Sequence, residues 1–510
     1  MKIILIADQP FQLHLFSELS SSLIADGYET KIVLADFFTF IYGKEYIENR
    51  QLVSGSQILT FEELFRRWQL SHFMHIDNAQ ALLKNWELAY CKNRSLDQIL
   101  KTDPYTNGYE FEAFYLEIDS DVKIPIYADI VKLCEDIYRI EKPDLLISIE
   151  NCLLPTNVFF TMAEKKETPF ITFSNARIGE RWVARKDFAY GMNYDFYQSI
   201  LNRKYGSEVN NEALDIVREY KNLKSHLYES QSIIVKKANE NKNLRTIRSY
   251  YKFVKELFIW AKYAVKTILL GPRSRNFKVN ILDQSFLKLI FFEFRRRFTP
   301  YFAINSRFFR NTAPVGSNYF LWALHYRPEG SGLVLGDGHD EIVYLKKVAD
   351  LIPSDFSLFV KENPEMYGLR SKDFYAELSN HPKIILINPF LDTKSYIVGA
   401  CAVLGMSGTI LLEAILLGIP AWAFGKPEFL LFLSGNGWDD FESFLARIAN
   451  GLVKVDTFEI LQYLCYLIEN SSSLDIALNP KSDPRKMQGD VLRMKSIIIS
   501  ELLNVANKSI

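Results

Sequence analysis

Three short stretches of the chain carry residue types that can hold a phosphate. They are Leu324-His325-Tyr326-Arg327-Pro328-Glu329, Lys361-Glu362-Asn363-Pro364, and Ser407-Gly408-Thr409 with Glu413 one helical turn beyond. A guanidinium at Arg327 can grip phosphate oxygens in a bidentate fork, whereas Lys361 offers a point charge. His325 can donate to a phosphate or a sugar hydroxyl. Ser407 and Thr409 add hydroxyl donors, and Gly408 lets a ligand approach the backbone. Where such a turn opens a helix, the first N–H groups and the positive end of the helix dipole face an anion. Glu413, on the same helix face as Thr409, is placed to accept from ribose hydroxyls. Each stretch alone has a plainer explanation: a capped helix for Ser407 to Thr409, surface or core roles for His325 and Lys361. Their ordered occurrence makes them a set.

Such a set needs elements to align it. Residues 319–324, 356–361, 383–387, 402–406 and 421–424 read as short apolar strands, and 341–350, 372–379, 394–400 and 409–417 as helices between them. Strands alternating with helices of this length imply right-handed crossovers and a parallel sheet covered on both faces. In an open parallel sheet the ligand crevice lies at the carboxyl ends of the strands. All three stretches start where a strand ends. Nearer the start, residues 2–7 and 29–34 read as strands around a helix at 12–26, whose Leu13, Phe16, Leu19 and Leu23 keep helical spacing until Gly27 stops it. A mostly helical region at 61–140 follows. The rhythm then resumes with a strand at 145–149, a helix at 157–166 and a strand at 170–173. The expectation is an α/β protein of two doubly wound parallel-sheet (Rossmann-like) domains facing across a cleft, with a basic helical insertion. Its divisions are 1–225, 226–312 and 313–475, followed by a helical tail at 476–510 that packs back on the first domain.

Composition narrows the class. A chain of 510 residues, 48% hydrophobic and 24% charged, exceeds one ordinary core and excludes disorder, collagen-like repeats and coiled coil as its main architecture. Five cysteines without a C-x-x-C pair (Cys91, Cys134, Cys152, Cys401 and Cys465) exclude a disulfide framework and a structural zinc site, and fit a reducing compartment. A run of only five apolar residues precedes Asp8, too few for a signal peptide, and no stretch approaches the ~20 needed to span a bilayer. A cytoplasmic location is expected. Lys plus Arg number 60 against 61 acids, which argues against a nucleic-acid binder. The charges are segregated, however: residues 236–310 hold nine Lys and nine Arg against four acids, a net of +14. Tyr251, Val254, Phe258, Ala261 and Val265 keep helical spacing there. Basic amphipathic helices lie in membrane interfaces, so peripheral association with the inner membrane surface through 236–310 is expected. The plain alternative is an interdomain helical hairpin with solvated cations.

The ordered text LHYRPEGSG, FVKENPEMYG, FYAELSNHPKIILINP and VLGMSGTILLEAILLGIPAWAFG, over about residues 317–425, resembles bacterial capsule and surface-polysaccharide biosynthesis proteins. That group includes the capsular 3-deoxy-manno-octulosonate (Kdo) transferases, which resemble GT-B glycosyltransferases. The resemblance implies a nucleotide-sugar donor in the C-terminal domain and an acceptor in the N-terminal one. The family's H-x-x-P-E falls on His325, Pro328 and Glu329. Its K-E-(H/N)-P falls on Lys361, Glu362, Asn363 and Pro364, and its S/G-T, E-A and G-x-P on residues 407–420. Asn363 stands where many relatives have His, so the donor's base stays open, with a cytidine-monophosphate (CMP) sugar one candidate. The implied donor set is His325, Arg327, Glu329, Lys361, Asn363, Pro364, Ser407, Gly408, Thr409 and Glu413. No cofactor is expected beyond the nucleotide-sugar co-substrate. The activity implied is metal-independent sugar transfer to a capsule or lipopolysaccharide-type glycan that is lipid-linked. A nucleotide-sugar 2-epimerase, a polyol-phosphate transferase and a non-catalytic glycan- or lipid-binding assembly factor are the alternatives.

Displacement at an anomeric carbon needs a carboxylate or imidazole to take the acceptor's proton. Glu150, after the 145–149 strand, is the first choice, with Asp8 and His14 as alternatives. Each also has an ordinary structural role open to it. Arg177 and Arg181, beyond the next strand, are candidates for an anionic acceptor. Asp119-Ser120-Asp121 has a D-x-D pattern but no clear nucleotide-binding sheet before it, and Gly336-Asp337-Gly338-His339-Asp340-Glu341 reads as a turn and helix N-cap, so a metal is expected at neither. There is no P-loop, G-x-G-x-x-G or G-x-S-x-G.

Overall fold

The strands that lead into the candidate residues are short runs buried on both faces, as parallel strands between two helical layers must be. The computed structural model describes residues 1–7, 12–35, 58–69, 72–92, 94–101, 120–150, 153–179, 181–185, 194–222, 247–270, 294, 306–310, 318–325, 341–364, 366, 370, 372–474 and 484–508. Asp8, Arg327, Glu329, Asp119 and residues 336–340 lie outside them.

Two sheets form. The first contains β1 (Lys2–Ala7), β2 (Glu29–Leu34), β3 (Ile58–Thr60), β4 (Leu145–Ile149), β5 (Phe170–Asn175) and β6 (Arg181–Arg185). The second contains β7 (Asn318–Ala323), β8 (Phe356–Lys361), β9 (Ile384–Ile387), β10 (Ala402–Gly405), β11 (Ala421–Ala423) and β12 (Gly435–Asn436). β13 (Ser471–Ser473) returns to the first sheet, whose order is β13-β6-β5-β4-β1-β2-β3. There β1 to β5 are parallel, and β6 and β13 are antiparallel additions at one edge. The second sheet runs β12-β11-β10-β7-β8-β9, parallel throughout. Both are doubly wound. The order reverses between β1 and β4 in the first sheet and between β7 and β10 in the second, and a reversal opens a crevice at the carboxyl ends.

Strand periodicity divides each core in two. Ile3 and Leu5 face one cluster and Ile4 and Ile6 another; Phe320 and Trp322 likewise oppose Tyr319 and Leu321. The cluster beneath Ile3 and Leu5 is completed from the far end of the chain. Met487, Val491, Met494, Ile498 and Leu502, on the Pro484–Lys508 helix, pack there beside Phe16 and Leu19 of the Gln12–Ala25 helix. The Lys495 ammonium meets Asp26 at 2.6 Å. The tail thus packs back on the first sheet.

Another segment departs from simple chain order. The Tyr194–Asn202 and Ser207–Asn222 helices share a cluster with the Thr457–Asn470 helix and the second sheet, through Ile200, Ala213 and Tyr220 against Leu464 and Leu411. Sequence continuity had grouped them with the first domain. Gly27, at φ +89°, ends the Gln12–Ala25 helix in the left-handed region a glycine adopts without strain.

Candidate functional site

The β7/β10 reversal brings the first and third stretches into contact. Leu324 N–H donates to Lys361 O at 2.9 Å, extending the β7–β8 ladder and leaving His325 at the sheet's carboxyl edge. Ser407 follows β10, and its N–H points at His325 Nε2 at 3.4 Å. In that contact Nε2 is the acceptor, so a neutral His325 carries its proton on Nδ1. Gly408 is the N-cap of the Thr409–Leu416 helix, and no side-chain oxygen caps it. Its backbone is ordinary (φ −68°), so the demand for glycine is spatial: a Cβ there would lie 3.3 Å from His325 Cε1. Residues 410–416 are buried all round, which fixes the helix axis and aims its N-terminal end at the crevice.

The second stretch supports this turn from below. Lys361 is buried, and its Nζ donates to Pro389 O at 2.8 Å. Glu362, part of the second stretch but given no role by the sequence, is the hub of a buried network. Its Oε2 accepts from Arg370 Nε at 2.8 Å and Tyr375 OH at 2.7 Å, and its Oε1 from Asn363 N–H at 2.7 Å. Arg370 then donates from Nη2 to His325 O at 2.6 Å. One guanidinium therefore ties the strand end of β8 to that of β7. Burial pushes the Glu362 carboxyl up, against the opposing pull of Arg370, Tyr375 and Asn363. Asn363 and Pro364 are half-buried beside it.

Glu413 lies deeper than a ribose ligand was expected to. It is 3% exposed, and Oε2 accepts from Tyr220 OH at 2.6 Å. Burial raises its pKa to about 7, although the Tyr220 hydrogen bond and the Lys361 and Lys394 charges all favour the carboxylate. Lys394 in turn donates to Tyr220 O and sits 4.9 Å over its ring. Tyr220, Lys394, Arg370 and Tyr375 had no local motif to mark them. Thr409 is half-exposed at the helix start. Glu341, from the acidic stretch read as a turn and cap, accepts from Trp322 Nε1 at 2.9 Å. Among the described residues, no three His, Cys, Asp or Glu side chains are grouped to hold a metal.

The reversal in the first sheet carries the other candidates. Gln12 Nε2 reaches Ile149 O at 3.2 Å. The next residue, Glu150, is half-buried and takes φ +48°, while its N–H donates to Phe173 O at 2.9 Å. A non-glycine residue in the left-handed region carries strain of order ~1 kcal/mol, held here by the flanking ladder. Arg177 has a similar backbone at φ +61°, fixed by its N–H to Asn175 Oδ1 at 2.7 Å. His14 is half-buried on the Gln12–Ala25 helix. Arg181 is engaged by the chain itself, pairing with Glu212 and reaching Ile468 O at 3.5 Å. It clasps β6 to the helices beside the second sheet.

No family model and no curated protein matches the sequence. Among solved structures the chain is similar to the Thermosulfurimonas dismutans KpsC β-Kdo 2,4 transferase, at 11% identity over 64% of this chain and 80% of that one, TM-score 0.35. It is also similar to the S. aureus MnaA–UDP co-structure, at 12% identity over 98% and 96%, TM-score 0.25. A third is the Methanocaldococcus jannaschii UDP-GlcNAc 2-epimerase in complex with UDP-GlcNAc and UDP, at 10% identity over 92% and 99%, TM-score 0.27. The chain's own two strand orders, each reversing where candidate residues gather, make it an α/β protein with two Rossmann-like sheets in tandem.

Proposed function

We propose that the chain is a glycosyltransferase that takes a nucleotide-activated sugar and passes the sugar to a capsule or lipopolysaccharide-type glycan, lipid-linked and presented at the cytoplasmic face of a membrane. The observation that carries this reading is the meeting of His325 with Ser407 and Gly408 at the β7/β10 reversal. There the donor phosphates lie against the start of the Thr409–Leu416 helix, with Ser407 and Thr409 hydroxyls beside them and Lys361 adding positive potential. Glu413, buried against Tyr220, anchors this helix rather than reaching the ribose.

In this mechanism the Glu150 carboxylate takes the proton of an acceptor hydroxyl. The freed oxygen attacks the anomeric carbon, and the bond from that carbon to the phosphate oxygen breaks. The nucleotide departs with the electron pair, and its new negative charge faces the helix terminus. Arg177 positions an anionic acceptor.

Product analysis tests the reading with cytidine, uridine, guanosine and thymidine nucleotide sugars and a lipid-linked acceptor. Glycosidic product with release of the nucleotide is expected. A free epimerised sugar, a phosphodiester product or no turnover would each contradict it. Glu150→Gln is expected to lower kcat by about 10²-fold or more with donor affinity unchanged, the usual contribution of a general base. Undiminished turnover would remove Glu150 from that role.

A further inference from the structure

The Ile247–Leu270 helix turns apolar side chains toward solvent. Tyr251 is 70% exposed, Phe258 73% and Val265 54%. At 3.6 residues per turn these three, seven apart, fall within about 40° of one another and form a stripe roughly 21 Å long. The opposite side is the one that packs: Ala264 is buried, and Trp260 meets Phe294 edge-on with centroids 5.2 Å apart. Lys255 and Lys262 are exposed and border the stripe, about 40–60° around the helix from Phe258. The helix has five basic residues and a single acid, Glu256, which is half-buried on the packed side. A helix on an ordinary protein surface buries its rings and exposes its charges around the outer face. Here rings and cations share the outer face.

No described helix is long and apolar enough to cross a membrane. Exposed rings flanked by ammonium groups match a helix lying in the plane of a lipid interface, with rings among the upper acyl chains and cations at anionic head groups. The surrounding 236–310 segment has a net charge of +14, which complements a negative surface and opposes pairing with a second copy of itself.

We infer that the Tyr251, Phe258 and Val265 stripe is a docking face for an anionic lipid surface, with Lys255 and Lys262 as its head-group contacts. The inference deepens the membrane part of the proposed function and does not depend on the nucleotide site. Co-sedimentation with vesicles of equal parts phosphatidylglycerol and phosphatidylcholine, and with phosphatidylcholine alone, tests it. The full chain is expected to bind the anionic vesicles preferentially. Tyr251→Glu with Phe258→Glu should lower that binding by about tenfold or more, with Tm and nucleotide affinity unchanged. Lys255→Glu with Lys262→Glu should lower binding to the anionic vesicles without creating binding to the neutral ones. Absence of wild-type binding, or wild-type binding by both variants, would overturn the inference. So would self-association that Phe258→Glu abolishes in a chain that ignores vesicles, because the stripe would then belong to a second copy. Nucleotide titration of the same samples reads the donor site separately.

Discussion

Glu413 shows how one side chain can report on its surroundings. Its folded pKa of about 7 lies above the ordinary carboxylate value because burial disfavours the charge more than Tyr220, Lys361 and Lys394 favour it, with Asp392 adding repulsion. The native state therefore holds this proton more tightly than the unfolded chain does. Stability falls as pH rises from about 4.5 to about 7 and then levels off, a loss of about 3 kcal/mol from this group. Glu413→Gln is expected to flatten that part of a Tm-against-pH profile and to melt at least as high as wild type at pH above about 8. An unchanged slope would mean that the carboxyl is not buried as described. The Tyr220 pairing could not be read locally, because its partners lie 193 residues apart and join only when the Ser207–Asn222 helix packs on the second sheet.

At the scale of elements, the site depends on strand ends held in register. The Glu362–Arg370 pair is fully buried and links β8 to the carbonyl of His325. Arg370→Met would strand a buried carboxylate, with an expected loss of about 3–5 kcal/mol in urea unfolding, and Glu362→Gln in the same chain should recover part of it. Equal stability of Arg370→Met and wild type would remove the network from this role. The elements themselves were largely legible. β7 to β11 and the helices between them are apolar runs alternating with helical spacing, and burial on both sheet faces enforces that pattern. β6 and β13 were not legible: Arg-Trp-Val-Ala-Arg has only three apolar residues between two arginines and Ser-Ser-Ser none, and they become strands by pairing with each other and with β5. That His325 and Ser407 lie at one carboxyl edge is readable from their strand ends, whereas their meeting depends on β7 and β10 being neighbours, which only the strand order supplies. The burial of Glu413 and the commitment of Arg181 to Glu212 depend on packing between distant segments.

For the whole molecule, the ends of the chain are interdependent. Five side chains of the Pro484–Lys508 helix complete the core under β1, and burying each stabilises by ~1.5–3 kcal/mol, roughly 7–15 kcal/mol together. That equals the net stability of a typical domain, about 5–15 kcal/mol. Deleting residues 484–510 should therefore unfold the first sheet, seen as rapid proteolysis within residues 1–185 and binding of a hydrophobic dye. A truncated chain as protease-resistant as wild type would show that the helix is dispensable. Charge is also distributed at this scale, with the +14 of residues 236–310 set against −15 on the rest. In the docking we infer, a cationic segment on an acidic body would orient the molecule at an anionic surface.

The donor pocket is tested most directly by calorimetric titration of cytidine, uridine, guanosine and thymidine nucleotides into wild type and Gly408→Val. A branched side chain at Gly408 must enter the space now taken by His325 and the mouth of the helix. The account predicts that one nucleotide binds wild type and that the substitution weakens it by about tenfold or more, the equivalent of one or more lost hydrogen bonds, with the fold intact. Equal affinity in the two proteins would contradict the assignment of the phosphates to this turn.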